Sequence, residues 1–495
     1  MNAMSTAVEI APARAPSAGA QAAGGALWTV LFSLLNKVTA FGGQIALAWF
    51  LLPADMGLAT IALSIAGIVS LVTGTNLKTL LIQRQDVLEE NTSEVFWLSL
   101  TMNCAAALLL AALAPLAGHW FNEPRLVPII LILAAAIPFM ALPTIYASRL
   151  CRGLKFRALA QIQFGEGLVR NAGAVMLAAL GVGASSLVWP QLAGAICVAA
   201  ACRVAAGGIP IGRPHPRCWP ALLAPALWLM MLAFVTALQT SGIIFVIGLM
   251  RDPVAAGFYA WGFALSSQAI FLLGTNLQGV FFPVFSKLNH DSHRQNQAFD
   301  KTFQALMLAL APVCALQIVL ARPVIALLFH QRWLPAAPVV QWLSFGMITQ
   351  PLSILGASLL LARGQYRLLA LQTAAATIVI MAAAAAGGRF GRETEIARAA
   401  GIALFLTNIA AGWVACRELK YSARHFFRKI APPVFTVLPL VLAGGLVTGL
   451  TSHEPPLVCI TVTTGLLLVL YGLGVWFLAP HWAGQFLARF KFLGS

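Results

Sequence analysis

Apolar runs recur from one end of this chain to the other, joined by connections of no more than about twenty residues. A run of about twenty apolar residues, wound as a helix, matches the hydrocarbon thickness of a bilayer. Hydrocarbon offers the backbone no partner, so each N–H and C=O must be satisfied within the segment, which leaves the α-helix as the form for such runs. Fourteen are read: 27–51, 57–80, 95–118, 126–147, 159–182, 184–206, 224–249, 255–280, 302–322, 335–362, 367–387, 396–416, 432–451 and 457–479. The expected fold is an all-α polytopic membrane protein of about 14 transmembrane helices. Composition agrees, with 60% hydrophobic and 9% charged residues, whereas soluble domains carry roughly 25% charge. That imbalance excludes a cytosolic enzyme, a disulfide-stapled secreted domain and a disordered chain.

The net charge of +16 would suggest nucleic acid in a soluble protein. Here the basic residues fall in short loops between apolar runs, and no nucleic-acid partner is expected. With the amino terminus placed in the cytoplasm, 22 of the 31 Lys and Arg lie on that side. Arg125, Arg251, Arg322, Arg332, Arg389, Arg392 and Arg398 lie on the other, and Lys37 and Arg170 sit inside spans. Such a bias orients helices during insertion. It predicts a multi-pass membrane protein with both termini cytoplasmic. The eight cysteines form no C-x-x-C pair and read as small apolar fillers.

An offset of 200 residues brings out an internal repeat. Pro53, Gly57 and Gly74-Thr75-Asn76-Leu77 align without gaps with Pro253, Gly257 and Gly274-Thr275-Asn276-Leu277, and Arg152-Gly153 is echoed by Arg363-Gly364. Six spans separate the copies, so the halves share one orientation, as in transporters whose substrate path lies between parallel repeats. The expected organisation is a disordered cytoplasmic tail over 1–26, an N-lobe over 27–206 and a cytoplasmic linker over 207–223. A C-lobe over 224–416, two extra helices over 432–479 and a tail over 480–495 complete it.

Ionisable residues inside a membrane face a cavity or a partner. Lys37 lies mid-span with Asn36 beside it and Gln44 two turns on, and no Asp or Glu lies one turn to either side. An ammonium in a wet membrane cavity suits an anion such as phosphate. Glu166 and Arg170, at i,i+4 with Gln163 one turn before, are either a structural ion pair or cavity groups. In the second half Gln239, Thr240, Ser241, Ser266, Ser267, Gln268, Thr275 and Asn276 are polar. Gln239, Gln268 and Asn276 are the candidates there for contacting sugar hydroxyls. Trp261 and Tyr259 either stack on a sugar ring or anchor the interface. No lysine follows a glycine, so there is no P-loop. His453-Glu454 lacks the second histidine of H-E-x-x-H, and His290-Asp291-Ser292-His293 lies in a hydrophilic loop. No catalytic residue, metal site or cofactor is expected.

Four segments carry a family resemblance. They are Leu51-Leu52-Pro53-Ala54-Asp55-Met56-Gly57-Leu58-Ala59; Leu81-Ile82-Gln83-Arg84 with Asp86 and Phe96-Trp97-Leu98; Phe282-Pro283-Val284-Phe285-Ser286-Lys287-Leu288; and Leu327-Leu328-Phe329 with Trp333-Leu334-Pro335-Ala336-Ala337-Pro338-Val339 through Leu360-Leu361-Ala362-Arg363-Gly364. Over roughly 25–420 the chain resembles the Wzx-type polysaccharide transport flippases of the multidrug/oligosaccharidyl-lipid/polysaccharide (MOP) exporter superfamily. Met56 stands where that family usually has Phe. The resemblance implies a carrier of the bacterial inner membrane, not an enzyme, that moves polyprenyl-pyrophosphate-linked oligosaccharide from the cytoplasmic to the periplasmic leaflet by alternating access for exopolysaccharide (xanthan-type) or lipopolysaccharide synthesis. Membrane lipid and polysaccharide polymerase or export proteins are the implied partners. The competing expectations are a small-molecule or lipid II exporter of the same superfamily, a membrane-embedded glycan polymerase or ligase, and an assembly partner.

Overall fold

The computed structural model describes residues 18–69, 92–153, 155–207, 212–214, 219–270, 281, 284–288, 291–391, 393–419, 421–422, 424, 426–428, 437–451 and 453–478, which are helical almost throughout. The N-terminal half contains α1 (Ala18–Phe50), α2 (Pro53–Val69), α3 (Thr92–Trp120), α4 (Leu126–Ala136 and Ala141–Arg152), α5 (Phe156–Ala179) and α6 (Trp189–Ala206). The second half contains α7 (Trp219–Met250), α8 (Pro253–Ile270), α9 (Ser292–Leu328), α10 (Ala337–Met347 and Gln350–Ala362), α11 (Tyr366–Phe390) and α12 (Glu393–Glu418). Two helices follow, α13 (Val437–Leu450) and α14 (Pro456–Leu478). Eight of the described helices are long and apolar enough to cross a bilayer, and nine if the bent pair forming α10 is one span. Pro53–Val69, Phe234–Met250 and Val437–Leu450 are shorter apolar helices.

The packing order repeats as the sequence does. In the first half α1 lies along α5, α5 along α6, α6 along α4 and α2 along α4. Six helices later, α7 lies along α11, α11 along α12, α12 along α10 and α8 along α10. Helices α13 and α14 pack on α9, outside this pattern. The fourth helix of each half is broken at the same place: a 3-10 segment, Ile137–Met140, interrupts α4 at Pro138, and α10 bends by 43° before Pro351. Proline removes an amide donor and clashes with the preceding turn, which is the physical origin of such breaks.

Two boundaries differ from expectation. Helix α1 begins at Ala18, inside the stretch read as an irregular tail, because Ala18–Ala26 holds five alanines whose high helix propensity extends a helix already nucleated by the apolar run. Helix α7 begins at Trp219, within the expected linker. The shortest expected junction is a real turn: Gly181 and Gly183 adopt positive φ (79° and 69°), which ends α5 within three residues. Residues 1–17 and 479–495, both Gly-Thr-Asn-Leu copies and Leu81–Arg84 lie outside the described residues.

The second-half aromatics have another role than either one expected of them. Trp261 is fully buried, stacked on Trp333 with centroids 5.0 Å apart and meeting Phe329 edge-on at 4.5 Å. Tyr259 is buried in a core that α2, α3 and α4 share with helices of the second half. Neither can stack on a sugar or anchor the interface, because tight packing occupies their faces. Asp291 of the His-Asp-Ser-His motif caps α9 by accepting a hydrogen bond from the Arg294 backbone N–H at 3.0 Å. Removing the Trp261 ring is expected to destabilise the chain by about 3–5 kcal/mol. Trp261→Ala should therefore show a clear fall in melting temperature in detergent, and Trp261→Phe a smaller one.

Candidate functional site

The site is built on the seam where the two halves meet. On α1, Lys37, Gln44 and Ala48 are spaced by seven and four residues and so form one stripe. Two contacts fix where that stripe faces. Gln268 of α8 donates its amide N–H to Gln44 Oε1 at 3.3 Å. Ala48 is buried in a cluster with Phe258, Trp261, Phe329 and Trp333 of the second half. Lys37 is therefore on the side of α1 that looks across to the opposite lobe, while Val38, one residue on, is 70% exposed on an outer face. Two of the expected site residues, Gln44 and Gln268, are brought into direct contact although 224 residues separate them. A side-chain N–H of Gln44 remains buried without a hydrogen-bond partner.

A second seam joins α1 to α5. Asn36 packs against Gly167, where a Cβ would overlap its amide, and Asn171 packs against Gly43. Phe32 meets Phe164 with centroids 5.6 Å apart, and the Arg157 guanidinium lies 4.5 Å over the Trp28 ring. These contacts set the register, so Lys37 and Arg170 stand within about one helical turn in height. Glu166 and Arg170 pair at 3.8 Å, with their side chains 33% and 40% exposed. A pair so open contributes at most about 1 kcal/mol. Glu166 also lies beside Gly194 of α6 and borders a cavity of about 380 Å³ between α5 and α6 with Gln161 and Cys197. Asn36 thus packs α1 to α5, while Glu166 and Arg170 bracket the same level of the lobe.

The second-half candidates are not gathered into one group. Ser241 packs against Gly67 of α2, and Gln239, two residues earlier, falls on the opposite side of α7. Thr240 bonds its own helix at Thr236 O and Ala237 O. Ser266 donates to Val340 O at 3.1 Å and Ser267 to Ala264 O at 3.2 Å, so these hydroxyls serve helix packing. Asn276 and Thr275 lie outside the described residues.

Arg332, read in sequence only as a topology marker, also holds the seam, together with Trp333 and Trp49. Trp333 donates its indole N–H to Ala48 O at 2.9 Å, Trp49 donates to Leu328 O at 3.0 Å, and Arg332 donates to Ala48 O at 3.3 Å and to Trp49 O. The Ala48 and Trp49 carbonyls end α1 and the Leu328 carbonyl ends α9, and at such an end the helix dipole is negative and a cation is favoured. Arg251 does the same for α11, donating to Gly388 O and Gly391 O. Arg125 and Arg398 pair with Glu123 and Glu395. The signal available in sequence was their position: four of the seven arginines on the basic-poor side are matched to a carboxylate or a helix end.

With the native cysteines replaced, Lys37→Cys is expected to react with a water-soluble maleimide and Val38→Cys to resist it. Equal labelling of the two would remove Lys37 from a wet cavity.

Residues 46–338 match the family model described as "Polysaccharide biosynthesis protein". The succinoglycan biosynthesis transport protein ExoT of Rhizobium meliloti (strain 1021) is 26% identical over 344 residues, 64% of this chain and 66% of ExoT. The lipopolysaccharide biosynthesis protein WzxC of Escherichia coli (strain K12) is 22% identical over 434 residues, 85% of this chain and 86% of WzxC. The structure of the lipid II flippase MurJ in an inward closed conformation superposes with a TM-score of 0.72 at 13% identity, covering 91% of this chain and 98% of MurJ. That likeness shows a shared fold, the two-lobed helical architecture. A family match over more than half of the chain, on a fold whose lobes meet along a polar stripe, places the protein in the polysaccharide biosynthesis protein family of membrane transporters.

Proposed function

We propose that the protein is a flippase that moves polyprenyl-pyrophosphate-linked oligosaccharide from the cytoplasmic to the periplasmic leaflet of a bacterial inner membrane, with both termini cytoplasmic. The observation that carries this reading is the Lys37–Gln44 stripe, turned toward the opposite lobe at the interface of two parallel repeats. A pyrophosphate and a sugar chain cannot enter hydrocarbon without partners, because stripping water from ions and hydroxyls is prohibitively costly. A polar stripe between two lobes lets the head group cross while the polyprenyl tail stays in lipid. In this reading Lys37 attracts the pyrophosphate and Arg170, within a turn in height, adds positive charge. Gln44 and Gln268 offer amides to sugar hydroxyls, and Asn36 and Glu166 hold α1 and Arg170 in place. The chain carries its cargo and does not transform it. Support comes also from ExoT, named for succinoglycan transport, and WzxC, named for lipopolysaccharide biosynthesis.

The test is leaflet accessibility of the lipid-linked glycan, read with a membrane-impermeant glycan probe on spheroplasts lacking the chain. Inward accumulation without outward-facing glycan, relieved by the intact chain, is the expected result; unaltered outward exposure would sink the flippase reading. Losing one charge-assisted contact costs about 1.5–3 kcal/mol, or roughly tenfold or more in binding. Lys37→Gln should accordingly lower export at least that much, and Lys37→Arg should keep most of it. Normal export by Lys37→Gln at normal protein level would remove the anion site.

A further inference from the structure

The groove between α5 and α6 is turned away from the lobe seam. Phe164, Gly167 and Asn171 of α5 pack on Phe32, Asn36 and Gly43 of α1. Gly165 and Val169 line the groove, each two residues before Gly167 and Asn171, and so lie about 200° round the helix, nearly opposite α1. Met176, two turns beyond Val169 on the same stripe, is 61% exposed, and Val204, beside the lining residue Ala205 of α6, is 82% exposed. Apolar side chains so open meet lipid, and the groove therefore opens on the bilayer. Small residues make it: Ala158, Gly165, Ala201 and Ala205 line a space of about 380 Å³, and a Cβ added at Gly165 would meet nothing within 4 Å. From Ala158 to Val169 the groove is about 16 Å long at 1.5 Å per residue. That is the depth of one leaflet of a hydrocarbon core about 30 Å thick.

The mouth of the groove lies at the first turn of α5 and the last turn of α6, where Lys155 and Arg157 are exposed. Glu166 is the one Asp or Glu in the sequence of α4, α5 and α6, so the charge these helices bring to the mouth is positive. Arg157 lies over the Trp28 ring, and a guanidinium stacked in this way keeps its edge N–H donors for another partner. Gln161, about one turn further in, is exposed and lines the groove. Because lipid is as apolar as the walls, an apolar fit does not by itself choose an occupant; the polar groups at the mouth do. Basic pockets between transmembrane helices hold anionic lipid head groups. We propose that the groove is a binding site for an anionic phospholipid of the cytoplasmic leaflet, with one acyl chain between α5 and α6, the phosphate at Lys155 and Arg157, and an ester carbonyl accepting from the Gln161 amide. The chain runs in to Val169 and Cys197 and covers the groove side of Glu166, which shields the Glu166–Arg170 pair from water. The lipid is a resident part of the N-lobe and not cargo, since the seam lies across α5 from it. The site is independent of what the seam carries; only its leaflet follows the sidedness proposed above.

The experiment uses the full chain purified in mild detergent, with every cysteine but Cys197 replaced. Phosphatidylglycerol and phosphatidylcholine of the same acyl chains are titrated separately and read by native mass spectrometry. One phosphatidylglycerol should bind roughly tenfold or more tightly than phosphatidylcholine, as two surface cations provide. Gly165→Leu, which grows into open space, should weaken that binding by a similar factor at an unchanged melting temperature. Phosphatidylglycerol binding unaltered in this variant would overturn the site. Lys155→Gln together with Arg157→Gln should bring the two lipids to equal affinity; a preference that survives would overturn the head-group assignment. The Cys197 thiol gives a readout that needs no substitution in the groove and decides if Gly165→Leu does not fold. Its reaction with an apolar maleimide should slow several-fold when phosphatidylglycerol saturates the chain, and an unchanged rate would overturn the site. A polyprenyl phosphate that displaces phosphatidylglycerol at equal concentration and protects Cys197 in its place would overturn the phospholipid assignment in favour of a prenyl tail. Glycan export enters none of these readouts, so failure of the lipid site leaves the flippase reading to its own test.

Discussion

A backbone amide left unpaired in hydrocarbon costs several kcal/mol. Every other feature of this molecule answers to that constraint. It makes each apolar run a helix, and it confines irregular backbone to positions where protein or polar side chains can satisfy it. The breaks at Ile137–Met140 and before Pro351 lie within packed lobes, at equivalent points of the two halves. Helix ends face the same demand. Those that meet the other lobe, such as the carboxyl end of α1, borrow donors from it: Arg332 and Trp333 complete hydrogen bonding that α1 cannot complete alone. Association of the lobes and satisfaction of the backbone are thus partly the same event.

Because lipid is as apolar as the side chains that would be buried, helix association in a membrane depends on close packing and on polar contacts. The interface between the lobes uses both, in separate zones. Glycine-on-proline contacts at Gly57 and Gly257, with Ala48 and Gly248 beside them, give close approach and little chemistry. The polar zone further in, Gln44 against Gln268 with Lys37 two turns beyond, gives chemistry and little packing. Under the proposed flippase reading the polar zone is the one that would meet a polar cargo, because its groups are able to exchange one partner for another.

Much of the fold was legible in one dimension because its determinants are local. Hydropathy marks a helix wherever the run is long enough, and the offset of 200 residues marked the repeat because Pro53 and Gly57 are constrained by the same crossing as Pro253 and Gly257. Lys37 was legible because a charge in an apolar run is conspicuous by its cost. The reading fell short where the outcome depended on a partner distant in sequence. Trp261 and Tyr259 look the same in sequence as interfacial aromatics, and their burial depends on Phe329, Trp333 and a core built by both halves. Ser266 and Ser267 look like Gln268, yet a hydroxyl on a helix can bond a nearby carbonyl while a longer amide reaches the other lobe.

The sequence by itself determined that the chain spans a membrane as helices, that it is built of two parallel halves with two helices added, and that a lysine is held within the first span. Hydrophobicity, spacing and repetition are properties of neighbouring residues, and they survive in one dimension. Tertiary structure alone decided which side of α1 looks across the lobes, that Gln44 meets Gln268 whereas Gln239 turns away, and that Arg332 closes the end of another lobe's helix. Those outcomes depend on the rotation and height of one helix against another. A shift of one residue turns a side chain by about 100°, and only packing along the whole seam selects the rotation that is kept.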